Sequence, residues 1–346
     1  MSDNTRRRLD ASLELVRDHC HPLLMSPDSF TRIRNVARSW PRFAVDFFGF
    51  ECRLGTTDGP TDCAMNLTPD GARMLAGRSE FAPPPALQDG PWEKLRRFFQ
   101  EWGDTRQTPY ADATSAWLEF DSSDEAPAPN LLFGYWPDKP ETRRPPEWLA
   151  ETVLPILLGD SVPAALKQNL LRCLEARPAR TRDFQIGVMF SRSFQAVRLC
   201  VFDLPEDDIE PYLERIGWRG PRGKLREYVD GLRPHADFVA LHLDMGEKIF
   251  PHIGVEPGFD ASCWSRQPHL EPRWEGQFDQ LSRFRLLLPE KKQALLAWIG
   301  HQRLPGDEET LLLRGLSHLK VVLGHDGGAT AKAYFGITHR ALGAAK

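Results

Sequence analysis

The sequence lacks the features that mark secreted, membrane-spanning and nucleic-acid-binding proteins. Its N-terminus, "MSDNTRRRLDASLELV", has no apolar core of signal-peptide length. No run approaches the roughly 18 consecutive apolar residues that a membrane span needs. The formal net charge of −4 leaves no surplus of basic residues for nucleic acid. We therefore expect a cytoplasmic protein that binds neither a membrane nor nucleic acid.

Several common catalytic and structural motifs are also missing. The six cysteines are scattered without a C-x-x-C pair, which argues against a zinc ribbon or a disulfide framework. Several of them fall in apolar, strand-like runs, where a reduced thiol packs as a small core residue. There is no G-x-G-x-x-G or Walker-type loop and no G-x-S-x-G elbow. Nucleotide binding through a phosphate loop and serine hydrolase chemistry are therefore not indicated.

A repeated order of predicted elements is present instead. The chain has 346 residues, of which 41% are hydrophobic and 27% charged, so it can bury a sizeable core. Hydrophobic periodicity predicts helical stretches, each followed by two strand-like runs. The helical stretches are approximately 9–40, 69–104, 146–175, 206–232 and 270–302. The strand pairs are "FAVDFFGFECRL" and "DCAMNL", "AWLEFD" and "NLLFGYW", "DFQIGVMF" and "AVRLCVFD", "DFVALHLD" and "KIFPHIGVE", and "HLKVVLG" and "TAKAYFGI".

This order predicts an α+β fold in which five α-β-β units form a ten-stranded antiparallel β-barrel with the helices outside. The links within each strand pair are short and rich in turn residues, which favours antiparallel hairpins. A barrel of ten strands is too wide for side chains to fill, so an inner chamber is expected. We expect one barrel domain over 1–346, with disorder at about 1–8. Two smaller α+β domains that divide near 140–145 are the alternative.

Alternation along the strands predicts which side chains face the chamber. If the helices cover the outside, the more apolar face of each strand points outward and the other face points inward. The inward set contains five cations: Arg53, Arg198, Lys248, Lys320 and Lys332. Enclosed cations repel one another unless an anion or nearby carboxylates neutralise them, and a diphosphate suits both Arg and Lys. If the faces are inverted or the sheet is open, these five are ordinary solvated residues.

Histidines and carboxylates are predicted on the same inner face. His242, His252 and His318 accompany Asp244 and Glu256. Such a set is compatible with general acid–base catalysis, with hydrogen-bonded structural histidines or with a metal site. The histidines have no metal-motif spacing, so we assign no metal site and take His242 and His252 as candidate catalytic residues.

The chain resembles the aromatic prenyltransferases of the ABBA type in the order of its elements. In that family five α-β-β-α units form a ten-stranded antiparallel barrel. The best local match is "AKAYFGI" at residues 331–337, which resembles the Lys-x-Tyr strand of the indole prenyltransferases. This resemblance implies that Lys332 binds diphosphate and that Tyr334 shields an allylic cation. It also implies that Arg198, Lys248 and Lys320 lie where the family places basic residues, and that Glu51 or Glu119 takes a proton from the acceptor.

The sequence departs from this family in two respects. It has only five tyrosines and a single Lys-x-Tyr pair, although Trp117 and Phe238 are possible substitutes for missing tyrosine rings. No aspartate-rich magnesium motif stands out, because "DSSDE" at 121–125 has the composition of a solvated turn. No cofactor is therefore assigned, and Mg²⁺ as a companion of the diphosphate is left open.

The expected function is transfer of a prenyl-type group from an allylic diphosphate to an aromatic or peptide side chain. Ionisation of the diphosphate needs cations, the carbocation needs π-faces, and the final proton needs a carboxylate. Two alternatives remain open. One is a cyclase or lyase that modifies peptides in natural-product (RiPP) maturation, and the other is a non-catalytic binding protein.

Overall fold

A computed structural model describes most of the chain. The described residues are 8–79, 90–102, 115–121, 128–135, 146–159, 161–178, 181, 184–191, 196–260, 266–304 and 307–342. The predicted disorder at 1–8 falls outside these ranges except at Arg8, which forms an isolated bridge with Pro41. The alternative domain boundary at 140–145 and residues 122–125 of the "DSSDE" turn also fall outside them.

The described strands form one antiparallel sheet. They are β1 (Val45–Arg53), β2 (Asp62–Leu67), β3 (Ala116–Phe120), β4 (Pro129–Tyr135), β5 (Phe184–Val188), β6 (Val197–Val201), β7 (Phe238–Met245), β8 (Ile249–Gly258), β9 (Gly300–Leu304), β10 (Asp307–Leu323) and β11 (Ala329–Ala341). Neighbours in sequence pair from β1 to β8, β8 then pairs with β10, and β10 pairs with β11. The last strand returns to the first, with Phe50 opposite Phe335. The predicted ten-stranded antiparallel barrel is confirmed.

One strand lies outside the predicted ten. The sequence-based prediction extended the fifth helical stretch to residue 302, whereas the helix ends at Trp298 and Gly300–Leu304 is a strand. β10 has 17 residues and begins at Asp307, well before the predicted start at His318. Its first half extends beyond the ring and pairs with β9. Alternation did not reveal this extension because Leu311, Leu312 and Leu313 are three consecutive apolar residues.

Helices surround the barrel. They are α1 (Leu9–Glu14), α2 (Pro27–Arg38), α3 (Pro69–Leu75), α4 (Pro91–Trp102), α5 (Pro146–Trp148), α6 (Leu154–Leu158), α7 (Ala164–Glu175), α8 (Glu206–Ile216), α9 (Arg222–Leu232), α10 (Arg273–Arg283) and α11 (Pro289–Trp298). Five of the described helices begin at a proline, where the missing N–H has no intrahelical partner to lose. Among the described helices, none has the length and apolar character that a bilayer crossing requires.

The hydrophobic core lies between the barrel and the helices. Trp298 of α11 is fully buried and packs edge-on against Phe50 of β1 and Phe335 of β11, with ring centroids 6.0 and 5.4 Å away. These apolar strand residues point outward, as predicted, and their polar neighbours in the strand point inward. The five described cysteines are free thiols. Burial of the apolar face against the helices thus determines which side chains line the chamber.

Candidate active site

The inside of the barrel is a cavity of about 400 Å³. Eight of the ten predicted site residues line it: Glu51, Glu119, Arg198, His242, His252, Lys320, Lys332 and Tyr334. They come from seven strands spread around the ring, so closure of the sheet brings together residues that are far apart in sequence. Period-2 alternation places them correctly because each strand buries its other face against helices.

The structure does not bring Arg53 and Lys248 into the cavity. Arg53 has the inward parity, but it ends β1 at the mouth of the barrel and is exposed to solvent. Lys248 is exposed in the turn before β8, which begins at Ile249. Alternation predicts the face of a residue but not its height along the barrel or the end of the strand. The prediction that Arg53 and Lys248 lie inside the chamber is therefore wrong.

Three cations nevertheless form a row across adjacent strands. Lys320 of β10 lies directly opposite Lys332 of β11, and Lys332 lies opposite Arg53 of β1. Like charges directly opposite each other in a sheet destabilise it. This row, Lys320–Lys332–Arg53, is called the cation row below.

Lys332 is paired with a carboxylate, one of the two ways in which enclosed cations were expected to be neutralised. Its ammonium donates to Glu51, and the pair is largely enclosed. Burial alone would raise the pKa of Glu51, but the Lys332 charge and hydrogen bonds from Lys332 and Tyr334 hold that pKa below its usual value. Burial and the neighbouring carboxylates Glu51 and Glu119 raise the pKa of Tyr334 well above its usual value. Tyr334 is therefore a neutral hydrogen-bond donor to an ionised Glu51.

Arg198 is also paired. Its Nε and Nη2 atoms donate to Oδ1 and Oδ2 of Asp244 at 2.7 and 3.0 Å, a bidentate geometry. His252 Nε2 donates to the same Asp244 Oδ2 at 2.9 Å. Arg198 and Asp244 are directly opposite in β6 and β7. The pair neutralises this side of the chamber.

Lys320 is enclosed like Lys332 and Arg198, but its hydrogen-bond partner is a histidine and not a carboxylate. Its Nζ atom donates to His242 Nδ1 at 3.1 Å, and within the described residues no carboxylate accepts a hydrogen bond from it. His242 Nε2 in turn donates to Glu256 Oε2 at 2.7 Å. Burial, with the nearby charge of Arg198, lowers the pKa of Lys320, and burial with the charges of Lys320 and Arg198 lowers the pKa of His242 well below its usual value. Lys320 is thus an enclosed amine held by a neutral imidazole.

Aromatic rings lie next to the cation row. The Tyr334 and His318 rings stack with centroids 4.0 Å apart, and Lys320 Nζ lies 5.9 Å from the Tyr334 centroid. Burial lowers the pKa of His318 to about 4, so its ring is neutral near pH 7. Trp117 packs edge-on against Phe47, with centroids 5.6 Å apart. The chamber therefore presents uncharged ring faces near its cations.

The wall formed by β3 to β6 carries an apolar patch among its polar side chains. Leu132, Met189 and Cys200 are buried there in one small cluster, with Trp117 and Phe202 packed against it. Within the chamber this cluster is separate from the main core between barrel and helices. It provides an apolar surface for the non-polar part of a ligand.

Glu119 is a carboxyl with a different environment from Glu51. Burial raises the pKa of Glu119, although Arg198, Lys320 and Lys332 partly oppose this effect. Glu119 lies on β3, opposite Ala64 and Asn130. A carboxyl with a raised pKa holds a proton more readily than an ordinary one.

Sequence reasoning missed two lining residues. Asp62 and Asn130 line the chamber, but the prediction left the inner faces of β2 and β4 unassigned. The same alternation in "DCAMNL" would have placed Asp62 inward. Asp244 and Glu256 were predicted to accompany histidines; Asp244 also pairs with Arg198. Among the described residues, no group of three or more His, Cys, Asp or Glu side chains is arranged to hold a metal ion.

Comparison with solved structures places this architecture among known folds. The crystal structure of AnaPT from Neosartorya fischeri aligns with a TM-score of 0.50 and 12% sequence identity, over 99% of this chain and 95% of that one. The fold is the ABBA barrel. A structure of 5-dimethylallyl tryptophan synthase from Streptomyces coelicolor in complex with DMASPP and Trp aligns with a TM-score of 0.46 and 12% identity, over 94% of this chain and 92% of that one.

Sequence comparison adds no family to this result. No protein-family model matches the chain. No curated protein matches its sequence. The ABBA barrel is thus established by structure alone, and the chemistry in its chamber has to be argued from the residues described above.

Proposed function

We propose that this ABBA barrel transfers a prenyl-type group from an allylic diphosphate to an aromatic or peptide side chain in its chamber. One observation carries the proposal: the cation row lies directly beside the stacked rings of Tyr334 and His318. An allylic diphosphate has an anionic end and an end that becomes a carbocation. The two neighbouring features of the chamber match these two ends.

The anionic end would bind the cation row. Lys320 lacks a carboxylate partner in the described structure, and Lys332 shares its charge with a single carboxylate, Glu51. A diphosphate between Lys320 and Lys332 would relieve their mutual repulsion. Arg53 at the mouth is in register to contact its outer phosphate. Charge neutralisation of the departing diphosphate lowers the barrier to ionisation.

The allylic end would lie over uncharged rings. Tyr334 is neutral and His318 is neutral near pH 7, so neither repels a carbocation. Ring faces attract a cation by about 2 kcal/mol or more in a dry site. The apolar cluster with Trp117 and Phe202 offers room for the hydrocarbon tail.

The acceptor proton would go to Glu119. When the acceptor carbon attacks the allylic carbon, a C–C bond forms, the C–O bond to diphosphate breaks, and the acceptor loses one proton. Glu119 has a raised pKa and holds that proton well, whereas Glu51 is engaged by Lys332 and Tyr334. A positioned general base contributes about 10² to 10⁴ in rate.

Mass spectrometry tests the reaction. The chain is incubated with dimethylallyl or geranyl diphosphate and a panel of aromatic amino acids, aromatic small molecules and short peptides. The expected result is the mass of one prenyl group on at least one class of acceptor. Absence of that mass across the panel would contradict the proposal.

Pyrophosphate affinity tests the cation row separately. Lys320→Met removes a charge-assisted hydrogen bond worth about 1.5–3 kcal/mol, so calorimetry should show affinity for inorganic pyrophosphate lower by about one to two decades. Lys248→Met is the matched control, because Lys248 is an exposed lysine outside the chamber, and it should bind as the unmodified chain does. Equal affinity in a folded Lys320→Met protein would rule out the cation row as the diphosphate site.

A further inference from the structure

Lys320, His242 and Glu256 form a continuous hydrogen-bonded chain within the barrel. Lys320 Nζ lies 3.1 Å from His242 Nδ1, and His242 Nε2 lies 2.7 Å from Glu256 Oε2. An ammonium group only donates, so Nδ1 accepts, with the Cys200 thiol also 3.0 Å from it, and the imidazole proton resides on Nε2, facing Glu256. All three residues are buried. This hydrogen-bonded series of Lys320, His242 and Glu256 is called the Lys–His–Glu relay.

The backbone leaves room for this close contact. Gly254 of β8 lies beside His242, and a Cβ atom there would be 2.8 Å from Lys320 Cε and 3.0 Å from His242 Cβ. Any other residue at this position would push the lysine stem away from the imidazole. The absence of a side chain at residue 254 is thus a second, independent feature of the relay.

The relay can remove a proton from Lys320 without forming a buried imidazolium. Nδ1 takes a proton from Nζ while Nε2 passes its proton to the Glu256 carboxylate. The charged pair Lys320 and Glu256 becomes an amine and a carboxylic acid, and His242 stays neutral in its other tautomer. Enclosure and the neighbouring cation Arg198 disfavour the ammonium form, and the lowered pKa of Lys320 agrees with this.

We propose that Lys320 is an amine nucleophile that forms an imine with a carbonyl compound bound in the chamber. A nucleophile, a base within hydrogen-bond reach and a third group that orients the base are the parts of an activated nucleophile, and all three are present. A lysine beside other cations in a dry pocket is suited to this chemistry. The inference goes beyond prenyl transfer and does not depend on it.

The neighbours of Lys320 indicate the class of carbonyl compound. Lys332 lies directly across the sheet and provides a positive charge for an anionic group adjacent to the carbonyl carbon. A 2-oxo acid has a carboxylate in that position. The cavity of about 400 Å³ admits such a small molecule.

The covalent step is balanced without an oxidant or reductant. The neutral Nζ of Lys320 attacks the carbonyl carbon, a C–N bond forms, and the carbonyl oxygen becomes a hydroxyl as it gains the proton that nitrogen loses. Glu256 then returns its proton through His242 to that hydroxyl, which leaves as water. The product is a protonated imine on Lys320, with Glu256 again a carboxylate.

Reductive trapping tests the proposal on the full chain. Glyoxylate is the carbonyl probe, cyanoborohydride converts any imine into a stable secondary amine, and peptide mapping by mass spectrometry locates it. Exposed Lys248 in the same chain is the internal reference. Lys320 should be labelled about tenfold faster than Lys248 or more, because a tenfold rate difference corresponds to only ~1.4 kcal/mol of activation. Labelling of Lys320 that is absent, or no faster than that of Lys248, would overturn the proposal.

Two variants test the relay itself. Glu256→Gln cannot receive the proton, and labelling of Lys320 should fall by about 10², the lower range for a lost general base. Lys320→Arg keeps the cation but has no amine nucleophile, so trapping at residue 320 should vanish while the melting temperature stays close to that of the unmodified chain. Unchanged trapping in a folded Glu256→Gln protein would also overturn the proposal.

Pyrophosphate distinguishes this inference from prenyl transfer. Calorimetric binding of pyrophosphate reports the cation row, whereas trapping reports the amine. Bound pyrophosphate favours the ammonium form and should protect Lys320 from glyoxylate. Trapping of Lys320 without pyrophosphate binding would support the imine and contradict the diphosphate site. Pyrophosphate binding without trapping would support the diphosphate site and contradict the imine.

Discussion

At the residue scale, the chamber differs from an open ring of cations because most of its charges are paired. Lys332 contacts Glu51, and Arg198 holds Asp244 with two hydrogen bonds. Substitution of an unpaired cation leaves no other charge without a partner, whereas substitution of a paired cation leaves its carboxylate buried and unpaired. The consequences of substitution therefore depend on the partner as much as on the cation.

Lys332→Ala should reverse the pH dependence that Glu51 contributes to stability. In the unmodified chain the pKa of Glu51 is lowered on folding, so this group stabilises the fold above its unfolded-state pKa, and the stabilisation is lost as pH falls through the folded-state pKa. Without Lys332, burial dominates and raises the pKa of Glu51. The stranded carboxylate should then lower stability by about 1–3 kcal/mol, with the loss growing between about pH 4 and about pH 7.

Thermal melts over this pH range measure the effect. The double variant Glu51→Gln/Lys332→Ala has no stranded charge, so its difference from the unmodified chain should not grow with pH. A loss in Lys332→Ala that shrinks as pH rises would contradict the assignment of Glu51 as the ionised partner.

Tyr334 tests whether the ring or the hydroxyl matters. Tyr334→Phe keeps the face that stacks on His318 but loses the hydrogen bond to Glu51. Tyr334→Ala removes a cation–π contact worth about 2 kcal/mol, so the rate of prenyl transfer should fall about thirtyfold. The Phe variant should lose less. Single-turnover rates with a fixed acceptor compare them, and equal losses in both variants would show that the hydroxyl is the working group.

At the element scale, two glycines differ in their surroundings: Gly254 of β8 is closely packed against other side chains, and Gly223 of α9 is not. Gly254 lies within a buried strand next to Lys320 and His242. A Cβ added at Gly223, near the start of α9, meets no heavy atom within 4 Å. The same substitution should therefore act in opposite directions at these two positions.

Gly254→Ala should destabilise the protein by about 1–3 kcal/mol, the usual effect of overpacking a filled site. It should also weaken pyrophosphate binding, because the new methyl group displaces Lys320. Gly223→Ala should be neutral or stabilise by up to about 1 kcal/mol, since alanine favours a helix over glycine. Chemical denaturation gives the free energy of unfolding of both variants. Equal free energies of unfolding for Gly254→Ala and Gly223→Ala would show that β8 can shift to accommodate a methyl group.

At the scale of the whole molecule, β11 joins the two ends of the chain. It pairs with β1 on one side and with β10 on the other. Contacts between residues so far apart in sequence form slowly, because a long loop has to close first. Closure of the barrel, and with it the chamber, therefore depends on the last strand.

Removal of residues 329–346 should prevent a stable barrel from forming. The truncated chain would expose the edges of β1 and β10, and unpaired edges of long strands promote aggregation. Size-exclusion chromatography and thermal melting should show aggregated protein without a cooperative transition. A folded monomer with a sharp transition would show that closure of the ring is dispensable.

The sequence by itself determined the five α-β-β units, the hairpins and the inward face of most strands. These follow from short-range patterns: alternation in strands, a 3.6-residue period in helices, and turn residues between them. Glu51, Lys320 and Tyr334 were placed inward by alternation alone. Strand ends are less well determined by such patterns, which is why Lys248, Arg53 and the strand Gly300–Leu304 were wrongly placed.

Only the tertiary structure decided which inward residues meet. Register and closure bring Lys332 to Glu51, Arg198 to Asp244, and Lys320 through His242 to Glu256. These contacts join strands that are many residues apart, and no local period encodes the height at which each strand crosses the barrel. Because charge interactions fall off with distance and enclosure changes their strength, the state of each cation follows from this long-range packing. Alternation in the sequence predicted which charged residues face inward, and closure of the barrel determined which of them pair.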